Sequence, residues 1–337
     1  LGILFFTFLI IQFVPGGPVE QLVNKLSGLD SISESSSSSN TYRGSNGLSD
    51  EHIEQLNKFY GFDKPFLERF FIMIGNYASF DLGMSYFHNQ SVGDLILSKL
   101  PVSISLGLWS FLIVYLVSIP LGIKKAVNDG SRFDIISSTI VLIGYSIPGF
   151  VLGIGLIVLL GGGSFFDIFP TRGLVSDDWS NLSVIEKILD YLWHITLPII
   201  CLIIGSFAVM TMLTKNSFID EINKLYTVTA RAKGLSENKV LYSHVFKNAI
   251  IPILTGFPAQ FVSAFFTGSI LIETIFSLDG IGLLSYEAII QRDYPVVMGT
   301  LFVFTLIGLL TKLITDIMYV YVDPRIKFTS SNTQRNL

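Results

Sequence analysis

The chain has little of what soluble enzymes use for chemistry. Its 337 residues include one cysteine and four histidines, and only 14% of them are charged. The single Cys201 excludes an intramolecular disulfide, and no histidine stands at metal-ligand spacing with another histidine or an acid. Gly-Lys never occurs, which excludes a Walker A phosphate loop, and no Ser/His/Asp arrangement is recognisable. We therefore expect no catalytic residue, no metal site and no cofactor in this chain, and we predict that it is not an enzyme.

Long apolar runs are what the chain has instead. It is 50% hydrophobic, and its share of charged residues is well below the level of about 25% found in soluble domains. A helix that crosses ~30 Å of hydrocarbon needs about 20 apolar residues. Residues 1–14 are interpreted as the end of a first span whose beginning is missing. We predict an all-α integral membrane protein with about six transmembrane helices, the first truncated at the N-terminus. The other candidate spans are residues 102–123, 135–160, 193–213, 250–272 and 296–320.

The Lys and Arg residues are distributed unevenly between alternate loops. Short loops rich in these residues stay on the cytoplasmic side of a membrane. We therefore expect both termini to be cytoplasmic. The net charge of −4 gives no reason to expect a nucleic-acid partner. Residues 124–134, 215–248 and 321–337 are more than twice as rich in Lys and Arg as residues 15–99, 161–192 and 273–295.

The most informative stretch is the polar segment at residues 226–252, which lies between two apolar runs. Residues 227–233 combine good helix formers with small side chains, and Gly234 stands where a helix commonly ends. Ser236 is a preferred N-cap residue. The pattern therefore predicts a short helix, a glycine corner and a second helix that ends near Pro252.

Two interpretations of this segment follow from its residues. The side chains of Ala230 and Ala232 add little bulk near the corner, so another protein could approach the backbone closely. A membrane protein that keeps so many patterned polar residues in one internal loop is then presenting them to a soluble partner. The alternative is an ordinary basic loop, which the charge bias of the cytoplasmic face would produce by itself.

The same segment resembles a known motif, the cytoplasmic docking loop of ABC importer permeases. The chain is identified as a member of the B-type permeases of dipeptide, oligopeptide and nickel importers. Within that family it is most similar to the Yej-type permeases, which are associated with uptake of peptides and of the peptide–nucleotide antibiotic microcin C. The stretches that carry the resemblance include Thr229-Ala230-Arg231-Ala232-Lys233-Gly234, Asn248-Ala249-Ile250-Ile251-Pro252, Ser146-Ile147-Pro148-Gly149-Phe150, Ile272-Glu273-Thr274-Ile275-Phe276 and Asp323-Pro324-Arg325.

The resemblance implies a fold, partners and a docking site. The fold is that of a type I ABC importer permease in a bacterial inner membrane. The partners are a second homologous permease subunit, two ATPase subunits that bind ATP and magnesium, and a periplasmic peptide-binding protein. The cargo is a peptide or a peptide-like compound such as microcin C, moved by alternating access. No motif identifies residues that bind it. The implied docking residues are Thr229, Ala230, Arg231, Ala232, Lys233, Gly234, Leu235 and Ser236.

The apolar runs and the resemblance together predict how the chain is divided, and they leave alternatives open. Residues 1–14 end the first transmembrane helix, and residues 15–99 form a periplasmic segment with a Ser-rich flexible insert. Residues 100–323 form the transmembrane permease domain, with the docking loop at 215–249, and residues 324–337 form a cytoplasmic tail. One alternative is an importer of nickel or another small solute. An ion-coupled secondary transporter would require charged residues at the bilayer midplane and inverted repeats, and neither is visible. A membrane scaffold without transport is a third alternative.

Overall fold

The computed structural model describes residues 1–13, 64–162, 165–266 and 270–322. The predicted Ser-rich insert and the predicted cytoplasmic tail lie outside the described residues. The described parts are mainly helical. In chain order the helices are α1 (Gly2–Phe13), α2 (Phe66–Ala78), α3 (Val92–Val127), α4 (Arg132–Ser146), α5 (Gly149–Leu160), α6 (Val184–Ile222), α7 (Leu225–Ala232), α8 (Glu237–Val240), α9 (Phe246–Ala249), α10 (Ile251–Phe266), α11 (Ile270–Ile275), α12 (Ile281–Gln291) and α13 (Tyr294–Val322).

Among the described residues, α3, α6 and α13 are long and apolar enough to cross a membrane. α3 has 36 residues and α6 has 39, so both extend beyond the apolar runs predicted at residues 102–123 and 193–213. Helical hydrogen bonding does not require apolar side chains, and long polar residues at helix ends reach water or a partner. If each bent pair of helices is counted as one span, the described residues hold up to five spans. With the shorter apolar helix α1, this agrees with about six.

The apolar run at residues 135–160 does not form one helix. It contains α4 and α5, which meet at an angle of 93°. Ile147 and Pro148 separate them, both with ψ above 100° and therefore outside the helical region. Proline has no N–H to donate, and it disfavours a helical conformation in the residue before it. The helix therefore ends at Ser146 and a new one begins at Gly149, so this segment is a broken span or a re-entrant loop.

The described residues of the predicted span at residues 250–272 lie mainly in two helices. α10 begins at Ile251 and ends at Phe266, and α11 begins at Ile270. The helical segment before α10, residues 237–249, meets it at an angle of 52°. The described part of this apolar run therefore belongs to two helices, and its first one is bent away from the polar segment that precedes it.

The first of two compact units consists of residues 1–99 and 284–305. In this unit α1 packs on α2 through aromatic rings. The ring centroids of Phe5 and Phe70 are 5.3 Å apart, and those of Phe8 and Phe66 are 5.2 Å apart. Centroid distances in this range are typical of favourable aromatic pairs. These contacts give α1 a defined place within its own unit.

The second unit consists of residues 100–283 and 306–337 and contains the polar segment. In this unit α5 and α6 approach each other closely at Gly149, where an added Cβ would lie 2.4 Å from the carbonyl oxygen of Cys201. Only glycine allows so close an approach of two backbones. The buried core around α6 consists of Leu106, Ile195, Leu197, Ile199, Cys201, Ile272, Phe276 and Leu278.

Candidate functional site

The polar segment follows closely after the end of α6. α6 continues to Ile222, so residues 215–222 of the predicted loop are the last two turns of a long helix. The helix passes the end of its apolar run because Lys215 finds charged partners and Phe218 is fully buried. Opposite charges neutralise the lysine, and burial of the phenylalanine stabilises the turn that carries it. The segment outside the long helices therefore starts at Asn223.

α7 has one face bound to its own chain. Thr227 is fully buried, and its hydroxyl lies 2.7 Å from the carbonyl oxygen of Ile222 and 2.6 Å from that of Lys224. Ala230, one turn later on the same face, is only 5% exposed. Residues three apart share one face of a helix. This face therefore holds α7 against the end of α6.

The other face of α7 is open. Leu225 is 84% exposed and Val228 is 53% exposed, although both are apolar. Thr229 and Ala232 are exposed as well. These four residues follow the spacing i, i+3, i+4 and i+7, which places them on one side of a helix. The result is a continuous surface of apolar and small side chains, which we call the open face of α7.

The glycine corner has the predicted geometry. Gly234 has φ +79°, a conformation that L-residues other than Asn and Asp rarely adopt. Its N–H donates to the carbonyl oxygen of Arg231 at 2.9 Å, and the N–H of Leu235 donates to that of Ala230 at 3.4 Å. Nothing lies within 4 Å of the position that a Cβ on Gly234 would occupy. The glycine is therefore required by backbone conformation and not by crowding.

Beyond the corner the second helix has the predicted bounds, but its N-cap residue makes no capping hydrogen bond. Ser236 occupies the N-cap position of α8, but its side chain makes no capping hydrogen bond. The second helix ends near Pro252, as predicted. It runs from α8 through a π-helical turn (Leu241–Val245) and α9 to Ala249, and α10, in which Pro252 is the second residue, meets it at an angle of 52°. A proline is tolerated there because the first helical turn has no N–H bonds to lose.

Seven buried apolar residues attach the polar segment to the long helices. We call them the loop cluster. Phe246 packs against the edge of this cluster, and its ring centroid lies 5.8 Å from that of Phe218. Because these residues come from α3, α6 and the polar segment together, the segment is packed against the ends of both long helices. The members are Ile123 and Ala126 of α3, Phe218 of α6, and Ala230, Val240, Val245 and Ala249.

A hydrogen-bonded tyrosine links three helices at the same place. The hydroxyl of Tyr226 donates to Glu221 Oε2 at 2.6 Å and accepts from Asn248 Nδ2 at 3.2 Å. Glu221 also pairs with Lys224 through its other oxygen, at 2.5 Å. Burial, together with the neighbouring carboxylate, raises the pKa of the Tyr226 phenol. The phenol therefore stays protonated and keeps α6, α7 and α9 together.

The structure separates the predicted docking residues into two groups. Thr229, Ala232, Lys233, Gly234 and Ser236 are exposed, and Arg231 and Leu235 are partly so. Ala230 is not available to a partner, because it belongs to the loop cluster, and its proposed role in close approach is corrected. Two alanines that are two residues apart point to opposite sides of a helix.

Sequence reasoning also missed residues. It missed the exposed apolar residues Leu225, Val228 and Tyr242, although helical periodicity could have shown the first two. It also missed the burial of Lys125 and Asp134, because both lie in a stretch that was interpreted as a charged loop. In the described parts of the chain, no three His, Cys, Asp or Glu side chains are grouped so that they could hold a metal ion.

Comparison with known proteins places this geometry in a family. A model described as "binding-protein-dependent transport system inner membrane component" matches residues 118–328, which is more than half of the chain. A relative from Agrobacterium fabrum, named as the permease protein YejB of a peptidoglycan transport system, is 57% identical over 97% of this chain and 94% of its own length. A relative from Escherichia coli O157:H7, named as the inner membrane ABC transporter permease protein YejB, is 54% identical with the same coverage.

More distant proteins agree. The oligopeptide transport system permease protein AppB of Bacillus subtilis is 32% identical over 97% of this chain and 95% of its own length. Among solved structures, the MetNI methionine ABC transporter in inward-facing conformations has a chain that matches with a TM-score of 0.51 and 15% identity, covering 68% of this chain and 96% of that one. The latter likeness shows the fold of an importer permease and nothing further. The resemblance read from the sequence is confirmed. The chain therefore belongs to the family of binding-protein-dependent transport system inner membrane components.

Proposed function

We propose that this protein is the permease subunit of an ATP-driven importer of peptides. The observation that carries the proposal is the two-sided character of α7. Its inner face is fixed to α3 and α6 through the loop cluster, and its open face presents Leu225, Val228, Thr229 and Ala232 to a partner. An exposed apolar surface of this kind marks a site of protein contact. A loop that is attached in this way transmits the movement of a bound partner to the membrane-spanning helices.

The partner at the open face is an ATPase subunit that carries ATP and magnesium. This chain supplies no phosphate-binding sequence of its own. Its docking residues are those named from the sequence, with Ala230 moved to the inner side. The complete transporter contains a second homologous permease, two ATPase subunits and a periplasmic peptide-binding protein. Closure of the ATPase dimer moves the docking loops, and the spans then open the pathway on the opposite side of the membrane by alternating access.

Peptides are the cargo that the named relatives support. The Bacillus subtilis relative is named for oligopeptide transport, and the Agrobacterium fabrum relative is named for peptidoglycan transport. Peptide-bearing fragments of peptidoglycan are therefore a second candidate cargo. Both are peptide-like, which agrees with a carrier whose selectivity depends mainly on its binding protein. Peptide-like antibiotics such as microcin C belong to the same chemical class. Nickel, which is much smaller than a peptide, is the alternative cargo named in the sequence analysis.

Deletion of the gene in a strain without other peptide importers tests the cargo. We expect uptake of radiolabelled tri- to hexapeptides to fall to background, because no other route crosses the membrane. Uptake of a labelled peptidoglycan fragment and of nickel is measured in the same cells. Loss of nickel uptake with normal uptake of peptides and fragments would reject the peptide assignment. Expression of the intact gene from a plasmid should restore uptake and serves as the control.

The orientation proposed from the Lys and Arg distribution places both termini and the polar segment in the cytoplasm. We expect Ser180→Cys to react with an impermeant thiol reagent added to intact spheroplasts, and Ser236→Cys to react only after the membrane is opened. Both side chains are exposed in this chain, and the permease is expressed without its ATPase subunits so that they do not cover Ser236. The background carries Cys201→Ser to remove the native thiol, which is buried. Labelling in the reverse order would place the docking loop on the wrong side for an ATPase.

A further inference from the structure

At one end of the second unit α3 and α6 are almost in backbone contact. A Cβ on Gly122 would lie 2.6 Å from Cβ of Thr214 and 2.8 Å from the carbonyl oxygen of Thr211. Thr211 and Thr214 are fully buried. Contacts of this closeness prevent the two helices from sliding past each other without separation. Each helix carries a lysine just beyond this contact: Lys125 follows Gly122 by three residues, and Lys215 follows Thr214 directly.

Lys125 of α3 is fully buried, which is unusual for a lysine. Its Nζ lies 3.1 Å from Oδ1 of Asp134, a buried carboxylate in the first turn of α4. It also donates to the hydroxyl oxygens of Ser137 and Ser138, at 2.8 and 2.6 Å, and to the carbonyl oxygen of Asp134 at 3.0 Å. The buried ammonium group therefore has a full set of acceptors, all of them on α4.

The same carboxylate binds the lysine of the other helix. Lys215 of α6 lies 2.7 Å from Oδ2 of Asp134 and 2.9 Å from Oδ1 of Asp129. Asp134 also accepts from the N–H of Gly130 at 3.2 Å. One carboxylate thus joins the ends of three helices, with each oxygen facing one lysine. We call Lys125, Asp134 and Lys215 the charge joint.

The charge joint is continuous with the loop cluster. Ile123 and Ala126 flank Lys125 on either side along α3, and Phe218 lies three residues after Lys215 on α6. All three pack against the polar segment. The turns of α3 and α6 that hold the charge joint are therefore the turns that contact α7 and its continuation. A displacement of the polar segment therefore acts first on these turns.

A buried ion pair is a weak source of net stability, because desolvation of the charges offsets their attraction. The charge-assisted hydrogen bonds of such a pair are directional, however, and they hold the paired side chains in one arrangement. α4 leads from the joint to the 93° break before α5. The joint thus fixes the first turn of a helix that ends at this break.

We propose that the charge joint passes movement of the docking loop to α4, so that Lys125, Asp134 and Lys215 are positioning residues for transport. The proposal rests on the docking role proposed above. α3 and α6 receive the displacement through the loop cluster. The shared carboxylate of Asp134 forces α4 to follow them. Without the joint, α3 and α6 would still move with the ATPase, and α4 would remain behind.

Replacement of Lys125 in the complete transporter tests this. The variant Lys125→Met, assembled with its ATPase and binding-protein partners in proteoliposomes, should retain the ATPase subunits during purification and continue to hydrolyse ATP. Peptide uptake should fall, so that the ATP consumed per peptide rises about tenfold, within the range of coupling between linked sites. The matched control is Lys124→Met, the same change at the neighbouring exposed lysine, which contacts the ring of Phe133 instead. It should keep the wild-type ratio.

Three further results decide between explanations. Lys125→Met with an unchanged ratio of ATP to peptide overturns the proposal. If Lys125→Met fails to accumulate, the double variant Lys125→Met/Asp134→Asn, which leaves Lys215 paired with Asp129, should accumulate and show the raised ratio. Failure of both to accumulate assigns the joint to folding alone and also overturns the proposal. Ala232→Trp tests docking separately: it should lose the ATPase subunits, and their retention would reject the docking role and not the joint.

Discussion

Transport is expected to be lost when Gly234 is replaced with valine, although the protein should still insert in the membrane. The left-handed conformation of Gly234 costs an L-residue roughly 1–2 kcal/mol, and a β-branched residue resists it further. The helix corner must then open, which moves α7 relative to α8 and misplaces the open face. The measurements are ATPase co-purification and peptide uptake, normalised to the amount of permease in the membrane.

Gly234→Asn is the matched control for this experiment. Asparagine tolerates the left-handed region better than other non-glycine residues. Because nothing lies within 4 Å of the added Cβ, its side chain meets no obstacle. We therefore expect Gly234→Asn to retain most of the uptake that Gly234→Val loses. Full uptake by a stably expressed Gly234→Val protein would contradict the docking role of the corner.

Gly149→Ala is expected to destabilise the protein strongly, because of the contact between α5 and α6. The new Cβ would lie 2.4 Å from the carbonyl oxygen of Cys201, which is backbone and has no rotamer to change. The two helices must separate, and overpacking of this kind costs about 1–3 kcal/mol. We expect the thermal unfolding midpoint of the purified complex to fall by about 5 °C or more.

Gly155→Ala, on the same helix, is the control. Nothing lies within 4 Å of its added Cβ, so the substitution only removes the helix-weakening effect of glycine. It should leave the midpoint unchanged or raise it slightly, by about 0.5–1 kcal/mol of stability. Equal midpoints for the two variants would show that α5 and α6 do not depend on this close approach.

The glycine corner could be predicted from sequence because its cause is local. A stretch of helix formers that ends at a glycine contains nearly all the information needed for φ +79° at Gly234. The family could be recognised for a similar reason, since its motifs are short and ordered along the chain. The opposite directions of Ala230 and Ala232 were also available, because two residues correspond to about 200° around a helix.

The charge joint could not be predicted in this way. Lys125 follows Lys124, and a pair of lysines after an apolar run is typical of a cytoplasmic boundary. Its burial depends on Asp134, nine residues later, and on Ser137 and Ser138 in the same helix. No local pattern relates these residues, because they meet only after α3 and α4 fold against each other. The end of α6 at Ile222 has the same origin, since Lys215 is held by acids from another part of the chain.

The length of α6 has a mechanical consequence. Its 39 residues extend over about 58 Å at 1.5 Å per residue, with the polar segment attached at one end. A rigid rod of this length that pivots near its middle has arms of about 29 Å. A push of about 5 Å at the loop, the size of a one-turn shift, would tilt such a rod by about ten degrees. The opposite end would then move by a similar distance in the other direction. Pro198 lies close to the middle of this helix and removes one backbone hydrogen bond there, and its buried neighbours Leu197 and Ile199 oppose a bend at this point.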